Sequence, residues 1–394
     1  MRVESYTQPC KRVLLGIAPF ISYFLLLVSR SLHSMGRLPA DPGYAYVLEG
    51  SERGLHALLF GDPYFHLAAR FLAFVTSWFP LAQQVLALSI LVHFVWAGCA
   101  VVIAAVVSLE SRSRLLGYLS GFLLVSAPHA SESVLGNVGN VKWPLIAALL
   151  VVCCSPSSVA RCPKSSVVLA VVTGFTQPLT IICCIPLFLD ALRQRIFRKH
   201  LKLAVVLIGI FLIQVAKVGL GDVTVGHSVK VTAPWPGMGL FWWSGFIAPM
   251  TVSLSCVFFL LSRKRNELSM FALKLSASAG LLSLASYQMG GIAGRYFVAP
   301  MSLALIAMFL IQHQIFANKP WLHRVSWMIS LLVLLVPSVK WFSSGPYLTD
   351  PPIWKSEISK AFQLCERDSS AVLAVSSSIY SGGDELDCSY ILSE

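Results

Sequence analysis

Long apolar blocks, parted by short polar or basic intervals, fill almost all of this chain up to residue 342. A helix crossing the hydrocarbon core of a bilayer needs about 20 apolar residues, and Val13–Val28, Val85–Leu109 and Leu203–Gly219 are of that order. The pattern predicts an all-α polytopic membrane protein of about eleven transmembrane or half-membrane helices. The predicted spans are 13–29, 84–109, 115–128 paired with 143–154, 165–192, 203–219, 241–261, 268–288, 297–313 and 325–342. The first block follows Lys11 and Arg12 as a signal peptide would, but no small-x-small cleavage site ends it and Arg30 comes next, so it reads as a retained span.

Three polar stretches interrupt the pattern. The first, residues 30–81, gathers Asp41, Glu49, Glu52 and Asp62. Its second half, Gly54–Phe79, spaces Leu55, Leu58, Leu59, Leu67, Phe71, Phe74 and Val75 as interfacial amphipathic helices would. Asp62 and Pro63 are placed to cap and begin the second of them. The next stretch is the turn Pro128–Lys142. The last is the tail 343–394, where Asp350-Pro351-Pro352 opens a helix with Trp354, Ile358 and Phe362 on one face, and Ala371–Val375 suits a short strand. Two domains are expected: a membrane domain 1–342 and a small α/β segment 343–394.

Charge gives the sidedness. Hydrophobic residues make up 56% of the chain and charged residues 12%, about half the share of a soluble domain. Mean hydropathy is +0.73. The net charge of +12 arises mainly from clusters: Lys11/Arg12, Arg112/Arg114, Arg161/Lys164, Arg193–Lys202, Arg263–Arg265 and Lys319/Arg324. Basic clusters mark cytoplasmic loops. Of the 18 acids only Glu4, Glu110, Asp190 and Glu267 fall on that side. This predicts a multi-pass cell-membrane protein with a cytoplasmic N-terminus, an external 30–81 loop and an external C-terminus. Residues 165–192 have both flanks basic and too few residues for two full spans, which predicts two half-helices meeting at Thr176-Gln177-Pro178. No basic patch with interleaved aromatics points to nucleic acid.

Most of the ten cysteines fall within or beside apolar blocks and read as small buried hydrophobes. Adjacent pairs such as Cys153-Cys154 lack the spacing of a zinc site. Cys365 and Cys388 alone lie in the tail, in the predicted oxidising compartment, and are expected to form a disulfide worth roughly 3 kcal/mol in the chain-entropy model.

Few residues carry the pattern of chemistry. Asp41 follows the first span by about a dozen residues, either as a functional carboxylate or as a turn cap before Pro42. His66 and Arg70 share one helical face and suit an anion, or lipid headgroups. Glu132, Asn137, Asn140 and Lys142 sit in the polar turn, and a lysine at a helix mouth must face water, an acid or a ligand. Arg295, in Gly294-Arg295-Tyr296, suits phosphate because glycine lets a ligand approach closely. Lys274 is expected to snorkel toward the cytoplasmic interface. No Walker loop, zincin motif, CxxC pair or nucleophile elbow occurs.

The layout resembles the GT-C superfamily of polytopic glycosyltransferases, which includes protein mannosyltransferases and actinobacterial arabinosyltransferases. A closer likeness is to actinobacterial membrane proteins of this type that carry an E-D-G element after the first span, a G-Y-x-H/L-x-x-R stretch, a G-N-x-x-N-x-x-W stretch and a two-cysteine tail. The counterparts are Ala40-Asp41-Pro42-Gly43, Pro63-Tyr64-Phe65-His66-Leu67-Ala68-Ala69-Arg70, Gly136-Asn137-Val138-Gly139-Asn140-Val141-Lys142-Trp143, and Cys365 with Cys388. Ala40 replaces the first acid of the pair.

The resemblance implies transfer of a sugar from a polyprenyl-phosphate donor to a glycan or lipid acceptor of the cell envelope, on the outer membrane face. Asp41 would act as base. Arg295, Lys142, Arg70 and His66 would hold the donor phosphate. Glu132, Asn137, Asn140 and Tyr296 would line the cavity. The single acid leaves no residue assignable as a metal ligand, although a divalent ion remains compatible with the chemistry. The alternatives are a transporter or lipid flippase, which calls for carboxylates at mid-membrane, and a non-catalytic envelope assembly protein.

Overall fold

The computed structural model describes residues 17–32, 34–37, 46–47, 50, 53–58, 65–126, 135–193, 197–220, 250, 252–254, 256–257, 266–290, 294–316, 321, 325, 328, 353–368, 372–375 and 384–393. The predicted spans 241–261 and 325–342 fall largely outside them. Four helices are long and apolar enough to cross a membrane, and shorter apolar helices pack among them. The fold is that of a helical membrane protein.

In chain order the helices are α1 (Ile17–Ser31), α2 (Leu67–Thr76), α3 (Leu81–Ser111), α4 (Arg114–Val125), α5 (Lys142–Cys154), α6 (Pro156–Arg161), α7 (Pro163–Thr176), α8 (Cys184–Arg193), α9 (Phe197–Leu220), α10 (Glu267–Gly290) and α11 (Val298–Ile315). Short 3-10 turns cover Gly54–Leu58, Val138–Asn140, Pro178–Cys183 and Gly294–Phe297.

The core forms around α5. Every residue from Trp143 to Cys154 is buried, as expected of a helix that is apolar on all sides. It packs against α3, α7, α10 and α11. Helices α3 and α4 approach closely where Gly117 and Gly121 lie four residues apart. A β-carbon on Gly117 would stand 2.4 Å from the Ala104 carbonyl oxygen. One on Gly121 would stand 2.7 Å from the Ala100 carbonyl oxygen and 2.5 Å from the Tyr23 hydroxyl. Lipid offers no hydrophobic drive for helix association, so small residues that let backbones touch supply the packing energy. The Tyr23 hydroxyl then donates to the Tyr118 carbonyl at 2.8 Å, tying α1 to α4.

The round trip expected over 165–192 is present. Helix α7 stops at Thr176, Gln177 is extended (φ −147, ψ 114), and Pro178 opens a 3-10 turn that runs into α8. The six described free cysteines, Cys99, Cys153, Cys154, Cys183, Cys184 and Cys256, are all buried; Cys162, expected to be another small hydrophobe, is instead only half-buried and disulfide-bonded.

Several polar groups inside the bundle are matched. Ser31 Oγ lies 2.6 Å from His93 Nε2, and His93 Nδ1 meets the Ser89 carbonyl. A carbonyl only accepts, so Nδ1 carries the proton. The Arg30 guanidinium donates to the Val125 carbonyl, which pins the end of α1 to the end of α4. The largest departure from expectation is Lys274. It does not snorkel. It is buried and donates to both Asp190 oxygens, at 2.8 and 2.7 Å, joining α10 to α8. A buried ammonium needs its opposite charge to offset lost hydration, and Asp190 supplies it from a segment that sequence pattern placed at the cytoplasmic edge.

The tail forms α12 (Trp354–Arg367), an antiparallel pair β1 (Val372–Val375) and β2 (Asp384–Asp387), and α13 (Cys388–Ser393). Cys365 and Cys388 are disulfide-bonded with Cα atoms 5.2 Å apart. The 31 residues of α3 rise about 46 Å, more than the roughly 30 Å hydrocarbon core. Its first turn carries the tail: Leu81 and Val85 pack with Trp354, Ile358, Ala361, Cys365, Cys388 and Ile391. Trp354 Nε1 donates to the Leu81 carbonyl at 2.7 Å, and its backbone N–H to Gly36 at 3.0 Å. The tail and the end of α1 therefore share one end of the bundle.

Candidate functional site

That same end gathers the start of α2, the turn before α5, the ends of α7 and α9, and the turn before α11. Each arrives for a local reason. Asn137 accepts from the Gly139 N–H at 2.8 Å, which closes the 3-10 turn and delivers Lys142 as the first residue of α5. A lysine there sits at the positive end of the helix dipole, an arrangement that an anion would relieve. Asn137 and Asn140 are themselves buried.

Helix α2 begins at Leu67, with His66 in the capping position. The expected cap by Asp62 and Pro63 is therefore four residues too early, and Asp62 itself lies outside the described residues. Tertiary contacts replace it: the Ala68 N–H donates to Thr176 Oγ1 at 2.9 Å. Gln214 of α9 accepts from the Phe65 N–H at 3.2 Å, while its amide donates to the Gly174 and Phe175 carbonyls at 3.1 and 3.0 Å. One side chain thus ties α9, the end of α7 and the approach to α2 together. The backbone of His66 is left-handed (φ 50, ψ 37). A non-glycine residue held there costs energy and persists only where its surroundings fix it.

Around His66 the charges converge. Arg70, one turn along α2, is buried, donates from Nη1 to the Ala57 carbonyl at 2.8 Å, and lies 5.3 Å from the Tyr46 ring. The Tyr46 and His66 rings are 5.7 Å apart. Lys217, three residues after Gln214 on α9, stands 4.1 Å over the Phe65 ring. Lys142 lies 5.4 Å from the Trp143 ring, and Trp143 meets Tyr296 edge-on at 5.3 Å. Burial first, then the positive charges of Lys142, Arg70 and Lys217, hold the His66 imidazole well below its usual range and therefore neutral.

Of the residues singled out by sequence, His66, Arg70 and Lys142 come together, with Asn137, Asn140 and Tyr296 beside them. Arg295 belongs to the Gly294–Phe297 turn that carries Tyr296, and its side chain lies outside the described residues. So do Asp41 and Glu132 entirely. Sequence reasoning missed Lys217, Gln214, Thr176 and Tyr46. A signal for two of them exists: Gln214 and Lys217 are polar residues at i, i+3 in an otherwise apolar helix. That spacing puts them on one face.

No family model matches the sequence, and no curated protein matches it. Among solved structures, the crystal structure of the Archaeoglobus fulgidus oligosaccharyltransferase in complex with zinc and sulfate is similar in shape, with 15% identity and a TM-score of 0.48 over 89% of this chain. The chain spans about half of that protein, 55% of its length.

Proposed function

We propose that this protein is a GT-C-type glycosyltransferase that uses a lipid-linked phosphate sugar donor, and that the Arg70–Lys142–Lys217–His66 cluster holds the donor phosphate. The observation that carries this reading is the convergence of three cations from three helices on a neutral, strained histidine. Strongly perturbed groups of this kind concentrate at functional sites, and fixed cations are what a departing phosphate needs. The resemblance in the Ala40–Gly43, Pro63–Arg70 and Gly136–Trp143 stretches supplies the reaction class.

In this reaction the Asp41 carboxylate takes the proton of an acceptor hydroxyl. The freed oxygen bonds to the anomeric carbon, and the bond from that carbon to the phosphate oxygen breaks. The polyprenyl phosphate leaves with the electron pair and is held by the cluster, with Arg295 contributing from the turn before α11. Glu132, Asn137, Asn140 and Tyr296 line the space for the sugar. The domain division at 342, an external face for the site and cell-envelope glycans or lipids as acceptors belong to the same proposal.

The transporter alternative would draw on a carboxylate inside the bundle. Asp190 is such a group, but both its oxygens are engaged by Lys274. The test is transfer of radiolabelled sugar from a polyprenyl-phosphate donor by the purified chain in detergent. Asp41→Asn and Arg70→Ala should each abolish it. Full activity in Asp41→Asn would remove that residue from the site, and absence of transfer to any hydroxyl acceptor by the wild type would sink the enzyme reading.

A further inference from the structure

The end of the bundle opposite the tail carries a different set of cations, and these are exposed. Lys199 of α9 donates to the Ala160 carbonyl of α6 at 2.7 Å, and α6, α7 and α9 pack against one another there. That contact brings Arg161 and Lys164, at the end of α6 and the start of α7, beside Arg198, Lys199 and Lys202 in the opening turns of α9. All five side chains are exposed. Among the described residues, no carboxylate pairs with any of them. The described acids at this end are Glu110, which accepts from the Ser155 hydroxyl, Asp190, which Lys274 holds, and the exposed Glu267 at the start of α10.

These cations cap an apolar stripe. Arg198, Lys202, Val205, Gly209 and Leu212 follow one another at spacings of four and three, which is one face of a helix. Val205 and Leu212 are 58% and 59% exposed, and a β-carbon on Gly209 would meet nothing within 4 Å. Only 28% of the most apolar stretch of α9 is buried inside the protein. From Lys202 to Leu212 the helix rises about 15 Å, half the thickness of the hydrocarbon core. The neighbouring helices extend the surface. Lys164 stands four residues before the exposed Val168 on α7. Helix α8, packed along α9, turns Ile185, Phe188, Leu189 and Leu192 outward while Asp190 meets Lys274 on its other side. A soluble acidic partner would engage the charges and leave the stripe uncovered, whereas a lipid engages both at once.

We propose that this end binds an anionic phospholipid of the adjoining leaflet. The headgroup phosphate lies among Arg161, Lys164, Arg198, Lys199 and Lys202, and an acyl chain lies along α9 from Val205 to Leu212. The site stands apart from the donor-phosphate cluster at the tail end and does not depend on it. Long basic side chains keep their stems on apolar surface and their charges at headgroup depth. Each such cation near an anionic lipid surface strengthens association by about fivefold at most. The bond from Lys199 to α6 fixes the two helix starts together before any lipid arrives, which lowers the ordering cost of binding.

The test is electron spin resonance of the full chain in phosphatidylcholine vesicles that contain a trace of spin-labelled lipid. The fraction of immobilised label compares phosphatidylglycerol with phosphatidylcholine. The wild type should favour spin-labelled phosphatidylglycerol by about fivefold or more at low salt, and the preference should fall as salt rises. Lys202→Gln alone should lower it. The triple variant Arg161→Gln, Arg198→Gln and Lys202→Gln, which keeps the Lys199 contact, should nearly abolish it. The pair Arg112→Gln and Arg114→Gln removes charge from the α3–α4 connection at the same end and should leave it in place. Equal association of the two lipids with the wild type would overturn the proposal. So would a preference that survives the triple variant. A preference lost equally in the Arg112 and Arg114 pair would overturn it as well, because net charge would then account for the effect.

Discussion

Two ends of the bundle hold positive charge, and they do it in different ways. Far from the tail, Lys274 lies between α10 and α8 with Asp190 against it at 2.7 Å, each charge meeting its opposite. At the tail end, Arg70, Lys142 and Lys217 come from three helices toward a histidine that stays neutral first because it is buried and then because of their charge. The first arrangement is closed: its charges offset each other's lost hydration and hold a half-helix in place. The second sets three cations beside a residue in a left-handed conformation, and in the proposed function the donor phosphate completes it. Burial of a cation does not by itself separate architecture from function.

Breaking either end tests the contrast. The largest effect is expected on transfer: Arg70→Ala should lower the rate by about 100-fold or more, as loss of a charge-stabilising donor does. Arg70→Lys should recover only part of it, because the guanidinium also positions the Ala57 backbone. At the closed end, Lys274→Ala should cost about 3–5 kcal/mol by stranding the Asp190 carboxylate. It should appear as a large fall in melting temperature in detergent, whereas the double variant Lys274→Met with Asp190→Leu should regain most of it. An unchanged melting temperature in Lys274→Ala would show that the pair carries no structural load.

Smaller effects sharpen the picture. Gly121→Ala, on the α3–α4 seam, should cost about 1–3 kcal/mol through overpacking against Ala100 and Tyr23. It should reduce stability and activity in parallel, unlike any site variant. In the ligand-free protein, stability should decline as pH falls below about 6.5, the unfolded-state histidine value. His66 binds its proton more readily unfolded than folded, so acid favours the unfolded chain. His66→Gln should flatten that limb of the melting profile. The smallest effect is expected of Lys360→Ala, which removes an exposed contact of 2.8 Å to Glu357 on α12. Contacts of this kind contribute about 0–1 kcal/mol, and neither melting nor transfer should move measurably.

Much of the architecture was legible because membrane folding leaves coarse marks. Apolar length marked the long helices. The break at Thr176-Gln177-Pro178 was readable because two basic flanks and 28 residues leave room only for a short return. The tail cysteines stood out as the only two in the polar tail. The start of α2 was misplaced because Asp62-Pro63 is a good local signal that lost to tertiary donors and acceptors on Thr176 and Gln214. Lys274 was misread because a lysine near a span end reaches the interface in most sequences, and nothing local announces a partner 84 residues away.

The residues themselves determined a polytopic helical chain, its re-entrant turn, its buried cysteines and the charged types available at the polar stretches. Those follow from hydration energies and chain length, which act locally. Only the tertiary structure decided which cations meet. Lys217 and Gln214 lie about 150 residues from His66 along the chain, and only helix packing brings α9 to α2. Electrostatic interaction depends on distance and surrounding dielectric, and sequence separation reports neither. The same kind of residue, a lysine in an apolar helix, thus became half of a neutral pair at one end and, in the proposed function, part of an anion site at the other.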